Sequence, residues 1–272
     1  MTAAPDFLRR IIEQKRVRLA HAKASRGLEE LRAEALRVRG ESEPHAFRSA
    51  LAREGRFQII AEIKRASPSL GDIRRLISPA ALAREYEAGG AAAISVLTEE
   101  DHFKGSLDDL REVRAVTSLP LLRKDFIFDE WQIYEAAAAR ADALLLIVAA
   151  LDDATLARLR SIAEDELGMD ALVEVHTAEE LRRGARSGAK VIGVNNRNLH
   201  NFEVSLETSV ELAAQAPPDA LLVSESGLST NADLRRLKSL GYRGFLIGEN
   251  LMRAERPAEA LRLLLTESHG ES

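Results

Sequence analysis

Cysteine is missing from all 272 residues. That excludes disulfides, thiolate metal sites and a cysteine nucleophile. Aromatic residues are scarce: eight Phe, three Tyr and one Trp. So few rings argue against a stacking platform for single-stranded nucleic acid. A basic excess is also absent, because 38 Lys and Arg face 43 Asp and Glu for a net charge of −5. Nucleic-acid binders usually carry the opposite balance. No long apolar run exists. The longest, Ala143–Leu151, falls far short of the ~20 residues that span a bilayer. Asp6–Arg26 is charged throughout and holds no apolar signal segment. The expectation is a soluble, cytoplasmic protein without a membrane or nucleic-acid partner.

Lysine is the last scarcity. It occurs at 15, 23, 64, 104, 124, 190 and 238, so the other 31 basic residues are Arg. The chain uses Arg for ordinary solvated charge, and a Lys inside a strand pattern stands out.

What is present is a repeated alternation. Short apolar runs read as buried strands at Phe57–Ile63, Ala91–Leu97, Pro120–Arg123, Ala143–Val148, Ala171–Val175, Val191–Val194, Ala220–Val223 and Gly244–Ile247. Their continuity suits parallel strands covered on both faces. Amphipathic segments with helix-start signals lie between them. Ser78-Pro79 places an N-cap before Pro at the first helical position, and Gly89-Gly90 closes that helix. Asp129–Gln132, Thr177–Glu180 and Thr230–Asp233 have capping-box spacing, and Pro257 opens the last helix.

Eight strand–helix units in this length predict a (β/α)8 TIM barrel as one domain over residues 1–272. A doubly wound open sheet is the alternative, but no G-x-G-x-x-G turn follows the first strand. Residues 57–272 hold the eight units, and residues 1–56 form a helical extension. Within the extension Asp6–Ser25 reads as an amphipathic helix with Leu8, Ile11, Ile12, Lys15, Leu19 and Ala22 near one face. His45–Arg53 reads as a second short helix. The extension can plug the barrel bottom or pack near the site, and topology gives no preference.

Barrel chemistry sits at the C-terminal strand ends, so each strand is read at its tip. With Ile60 facing inward, period two brings Glu62 and Lys64 to the same face. The same rule pairs Lys124 with Leu122, Glu174 with Leu172, and Asn195 and Arg197 with Gly193. The seventh strand ends in Glu225-Ser226-Gly227 and the eighth in Gly248-Glu249. Lysines held close in a partly dry pocket should carry depressed pKa values suited to acid–base work. Ser226, Gly227 and Gly248 stand where barrels of this kind commonly bind phosphate. None of the six histidines (21, 45, 102, 176, 200 and 269) shows metal-ligand spacing, and no metal is expected. His176 reads as a loop residue, and Trp131 and Tyr134, at helical spacing, as core. Ser67 and Ser69 suit turn, cap or ligand-donor positions.

These residues fall into a known pattern. Ile60-Ala-Glu-Ile-Lys-Arg-Ala-Ser-Pro-Ser69 closely resembles the E-x-K-x-x-S-P-S signature of the indole-3-glycerol-phosphate synthase family. The likeness continues in Val96–Glu100 with Phe103 and Gly105, in Leu121–Phe126, in Leu172–His176, in Gly193–Leu199, in Ser224–Gly227 and in Phe245–Glu249. It covers essentially the whole chain.

The resemblance implies ring closure, decarboxylation and dehydration of 1-(2-carboxyphenylamino)-1-deoxyribulose 5-phosphate, a step of tryptophan synthesis. It implies no cofactor and a monomer whose partner is a phosphorylated small molecule. Lys124 would be the ring-closure acid and Glu174 a base. Lys64, paired with Glu62, would hold the carboxylate or act as second acid. Ser67, Asn195 and Arg197 would position substrate, and Glu225 would orient a lysine. Phe103, Phe126 and Leu146 would wall the anthranilate ring. Ser226, Gly227, Gly248 and the backbone of Glu249 would hold the phosphate. The sequence does not divide the second acid and base among Lys64, Lys124, Glu62 and Glu174. A phosphoribosylanthranilate isomerase and a silent scaffold are the alternatives. The missing cysteine speaks against the first, and the intact charged set against the second.

Overall fold

The computed structural model describes residues 6–67, 71–72 and 78–266. Eight parallel strands close into a barrel: β1 (Gln58–Ile63), β2 (Ala93–Leu97), β3 (Leu121–Lys124), β4 (Ala143–Ile147), β5 (Asp170–Val175), β6 (Val191–Asn195), β7 (Leu221–Glu225) and β8 (Tyr242–Ile247). Each pairs with its neighbours in chain order, and β8 closes on β1 with Ile60 opposite Leu246. All eight expected strands are found within two residues of their expected ends. The outer layer is α4 (Pro79–Gly89), α5 (Leu107–Arg114), α6 (Glu130–Ala138), α7 (Asp153–Ser161), α8 (Ala178–Arg186), α9 (Glu207–Ala213), α10 (Asn231–Ser239), α11 (Glu249–Arg253) and α12 (Pro257–Leu265). A two-residue antiparallel ladder follows β1 and joins Ala66–Ser67 to Gly71–Asp72.

Alternation along the strands divides the core in two. Ile60, Leu122, Leu145, Leu172, Val223 and Leu246 fill the barrel interior. Ile59, Ala61, Leu144, Leu146 and Val173 face outward beneath the helices. Both faces are apolar because both are covered, which is why the strands read as unbroken runs.

The expected helix starts hold, but one of the three capping boxes closes fully and two do not. Thr230 and Asp233 form a full capping box. At α6 the Asp129 carboxylate accepts from the Trp131 N–H, while Gln132 accepts from the Phe128 N–H. At α8 the Thr177 hydroxyl accepts from the Glu180 N–H, but the Glu180 carboxylate turns to His176 instead of closing the box. No helix among the described residues is long and apolar enough to cross a membrane.

The extension reaches both ends of the barrel. Its helices are α1 (Asp6–Ser25), α2 (Leu28–Gly40) and α3 (Ala46–Leu51). Phe47 and Leu51 of α3 enter the interior core from the N-terminal end, where the Arg48 N–H donates to Asp170 at the start of β5. α1 instead lies at the C-terminal rim. Lys15 pairs with Asp125 at 2.7 Å and Glu100 at 3.2 Å, and Lys23 with Asp129 at 2.7 Å. α2 packs on α6, with the Trp131 indole donating to the Arg26 carbonyl. Trp131 and Tyr134 are buried as expected.

Candidate active site

The strand ends and α1 enclose a cavity of about 450 Å³ at the C-terminal rim. Glu62, Lys64, Lys124, Glu174, Asn195 and Arg197 all line it, as the period-two reading requires, and so does Glu225. So do Phe103 and Phe126, and Ser226, Gly227, Gly248 and Glu249. Phe126 follows β3 and Ser226 follows β7, which stand four strands apart and so face each other across the mouth.

At the centre is a Lys124 ammonium held by two carboxylates. Its Nζ lies 3.1 Å from Glu174 Oε2 and 2.9 Å from Glu225 Oε2. Beside it Lys64 Nζ meets Glu62 Oε1 at 2.7 Å. Burial would push Lys124 down, but Glu225, Glu174 and Glu62 outweigh it and raise its pKa above the ordinary lysine value. The expectation of depressed lysine pKa values is therefore wrong for Lys124. It weighed burial and the neighbouring cation above the rim carboxylates, three of which, from different strands, act on Lys124. The charged ammonium form of Lys124 is consequently the favoured one at neutral pH.

The carboxylates divide. Burial pushes Glu174 up, but Lys124 and His176, with hydrogen bonds from Lys124 and Asn195, hold it below the ordinary carboxylate range. Burial pushes Glu225 up to about 7; Lys124 opposes this, and the neighbouring Glu174 and Glu62 charges add to it. Two titratable groups pushed apart by their surroundings are a common mark of acid–base sites.

Two glycines make room for these groups. A Cβ at Gly193 would collide with Glu225 Oε1, and one at Gly248 with Glu62 Oε1. Glu225 thus lies over the β6 backbone, where only glycine permits it. The Asn195 side-chain oxygen accepts from the Ser226 hydroxyl at 2.9 Å and the Arg197 N–H at 3.0 Å, tying β6 to the loop after β7. Arg197 Nη1 donates to the Phe202 carbonyl.

One expected wall residue is not there. Leu146 points outward into the helix layer, while Leu145 and Ile147 line the cavity. An unbroken run such as Ala143–Val148 carries no polar alternation to mark its faces, and the register of the neighbouring strands decides. The backbone of Ser67 lies in the ladder after β1; its side chain, and Ser69, fall outside the described residues. Phe7 and Leu8 of α1 and Phe202 of the β6 loop also line the cavity. The Phe7 ring packs edge-on against Phe202 and His102. Local sequence held no signal for this roof, because its rings come from three distant segments.

Comparison with known proteins agrees with this geometry. A family model for indole-3-glycerol phosphate synthase matches residues 8–264. The indole-3-glycerol phosphate synthase of Rhizorhabdus wittichii is 47% identical over 262 residues, 95% of this chain and 98% of that protein. That of Carboxydothermus hydrogenoformans is 45% identical over 263 residues, 95% of this chain and 99% of that protein. Among solved structures, thiamine phosphate pyrophosphorylase from Pyrococcus furiosus aligns with a TM-score of 0.57 at 18% identity, over 76% of this chain and 93% of that one. KGPDC from Streptococcus mutans aligns at 0.59 and 12%, over 77% and 96%. These two share the barrel fold. Relatives matched at nearly full length, and a family model covering almost every described residue, place this chain in the indole-3-glycerol phosphate synthase family.

Proposed function

We propose that the protein converts 1-(2-carboxyphenylamino)-1-deoxyribulose 5-phosphate to indole-3-glycerol phosphate, releasing CO₂ and water. The observation that carries this reading is the Lys124 ammonium, held charged by Glu174 and Glu225 at the base of an aromatic-walled cavity.

The substrate has an aromatic end and a phosphate end. Phe103 and Phe126, with ring centroids 6.2 Å apart, suit the anthranilate ring. Across the mouth, backbone N–H groups of Ser226, Gly227, Gly248 and Glu249 suit the phosphate. The Glu249 carboxylate would repel that group, so only its backbone serves.

Ring closure joins the ring carbon that bears the carboxylate to the ketone carbon C2′. The ketone oxygen takes up a proton as the bond forms, and Lys124 supplies it. The new quaternary carbon loses CO₂, and its electron pair restores the aromatic ring. The C2′ hydroxyl then leaves as water, which needs a second acid, and a base removes a proton from the adjacent carbon to complete the indole. Glu174, held ionised, fits the base. Lys64 with Glu62 fits the carboxylate anchor and second acid, and Asn195 and Arg197 the positioning donors. Glu225 fixes Lys124. General acid–base steps of this kind supply ~10²–10⁴-fold each.

The extension works with the barrel as one unit, because α1 roofs the cavity with Phe7 and Leu8. A roof keeps water from the decarboxylating intermediate. Turnover of the synthetic substrate by purified protein, followed by indole fluorescence, tests the reading. Product formation at an enzymatic rate is expected, and its absence with a folded, phosphate-binding protein would overturn it.

A further inference from the structure

His176 follows β5 and does not line the cavity. The proposed reaction leaves this largely covered imidazole without a task. Its surroundings are nonetheless built around it. Glu180 Oε2 accepts the His176 backbone N–H at 2.7 Å and stands 3.2 Å from ring Nδ1. Glu180 makes these contacts instead of completing the Thr177 capping box, so helix stabilisation does not explain its orientation. On the other side of the ring, Nε2 lies 3.4 Å from Glu174 Oε1, within ion-pair range, and makes no hydrogen bond among the described residues.

The imidazole therefore stands between two carboxylates, one at each nitrogen. Only the imidazolium donates from both nitrogens; a neutral ring must turn a lone pair toward one carboxylate. The charged groups around it are Glu174 on its own strand, Glu180 on α8 and Glu225 on β7, with Lys124 of β3 beyond Glu174. Burial pulls the His176 pKa down, but Glu180, Glu174 and Glu225 more than reverse it. Glu174 thus has a cationic group facing each oxygen, Lys124 hydrogen-bonded at Oε2 and His176 within ion-pair range of Oε1.

We propose that His176 is a positioning residue that, anchored by Glu180 and protonated, holds Glu174 ionised and aimed into the cavity. This rests on the reading of Glu174 as the base of the dehydration step. A chain of Glu180, His176, Glu174 and Lys124 then orients the base through a second group, as activated proton carriers commonly require. His176 itself touches neither substrate nor reacting atoms.

The test compares wild type, His176→Gln, His176→Leu and Glu180→Gln. Gln keeps a neutral donor, and Leu removes donor and charge together. In His176→Leu, kcat should fall about tenfold or more with KM within about twofold, since the group acts through the base and not on binding. The acid limb of its pH profile should move upward, because Glu174 loses a cation that favours its ionised form. His176→Gln should recover part of kcat but keep the displaced limb, which a packing role alone would not produce. In ¹⁵N-histidine NMR, the wild-type ring should titrate above the ordinary ~6.5 of histidine, and Glu180→Gln should lower it. Unchanged kcat and acid limb in both His176 variants would overturn the proposal, as would a change confined to KM. If His176→Leu does not fold, the acid limb of His176→Gln decides. A wild-type protein that does not turn over the substrate refutes the reaction. A wild-type ring titrating at or below the ordinary value refutes this inference by itself.

Discussion

Replacing Lys15 with Met tests how α1 is fastened over the site. Lys15 is a buried cation on the apolar face of α1, with its side chain 8% exposed, and Asp125 is fully buried. Asp125 Oδ1 takes Lys15 and the Phe126 N–H, and Oδ2 takes the Thr98 hydroxyl and the Arg123 guanidinium. Removing one partner of a buried pair costs ~3–5 kcal/mol. Asp125 keeps three donors and Met keeps the apolar stem, so the lower end applies, about 3 kcal/mol. At ~2–4 °C per kcal/mol for a domain of this size, the melting temperature should fall by about 6–12 °C. Burial pushes the Asp125 carboxyl up, but Lys15 and Arg123 reverse this and hold it below the ordinary range. A pKa lowered on folding adds stability at neutral pH that is lost as pH falls. Without Lys15 the folded-state pKa rises and that contribution shrinks, so the deficit of the variant should narrow as pH falls. Calorimetry at pH 7 and pH 5, with hydrogen exchange across residues 6–25, reads both effects. A melting temperature within about 2 °C of wild type, with α1 amides equally protected, would refute the reasoning.

Other outcomes follow from the same contacts. Glu174→Gln should lower kcat with little change in KM; a rise in KM alone would make Glu174 a binding residue. Glu225, raised on folding to about 7, favours the fold while protonated, and that contribution disappears as pH rises through this value. Glu225→Gln cannot ionise, so its melting temperature minus that of wild type should increase between pH 5 and pH 8; a flat difference would contradict the burial argument. Deleting residues 1–26 removes the Phe7 and Leu8 roof but leaves α2 on α6, so a folded protein with raised KM and lowered kcat is expected. Circular dichroism and steady-state kinetics check this, and full activity would deny α1 a role at the site.

The strands and the charged rim were legible in the sequence because each follows from local physics. Doubly covered strands must be apolar throughout, and period two carries Glu62, Lys64, Lys124 and Glu174 inward once Ile60, Leu122 and Leu172 are inside. What was not legible depends on partners distant in the chain. Leu146 was read on the wrong face because an unbroken apolar strand hides its own alternation. The raised pKa of Lys124 comes from Glu225 and Glu174, 101 and 50 residues away. The sequence left 28–40 unassigned, since its stripe of Leu31, Ala35 and Val38 is thin and the buried Arg39 interrupts it. Arg39 is accommodated by the Leu167, Ala141 and Gly168 carbonyls and by Asp142, none of them nearby in sequence. His176 read as a loop residue because nothing local shows Glu180 turning back toward its ring.

In the proposed reaction Lys124 delivers the proton that closes the ring. Lys124→Met keeps the unbranched stem as far as Cε and removes the ammonium group. Single-turnover kinetics with 1-(2-carboxyphenylamino)-1-deoxyribulose 5-phosphate, read by indole fluorescence, test it against wild type. A loss of ~10²–10⁴-fold or more in the rate of the chemical step is expected, with substrate affinity little changed. A variant that keeps more than about a tenth of the wild-type rate would contradict it, because no loss that small fits removal of the proton donor.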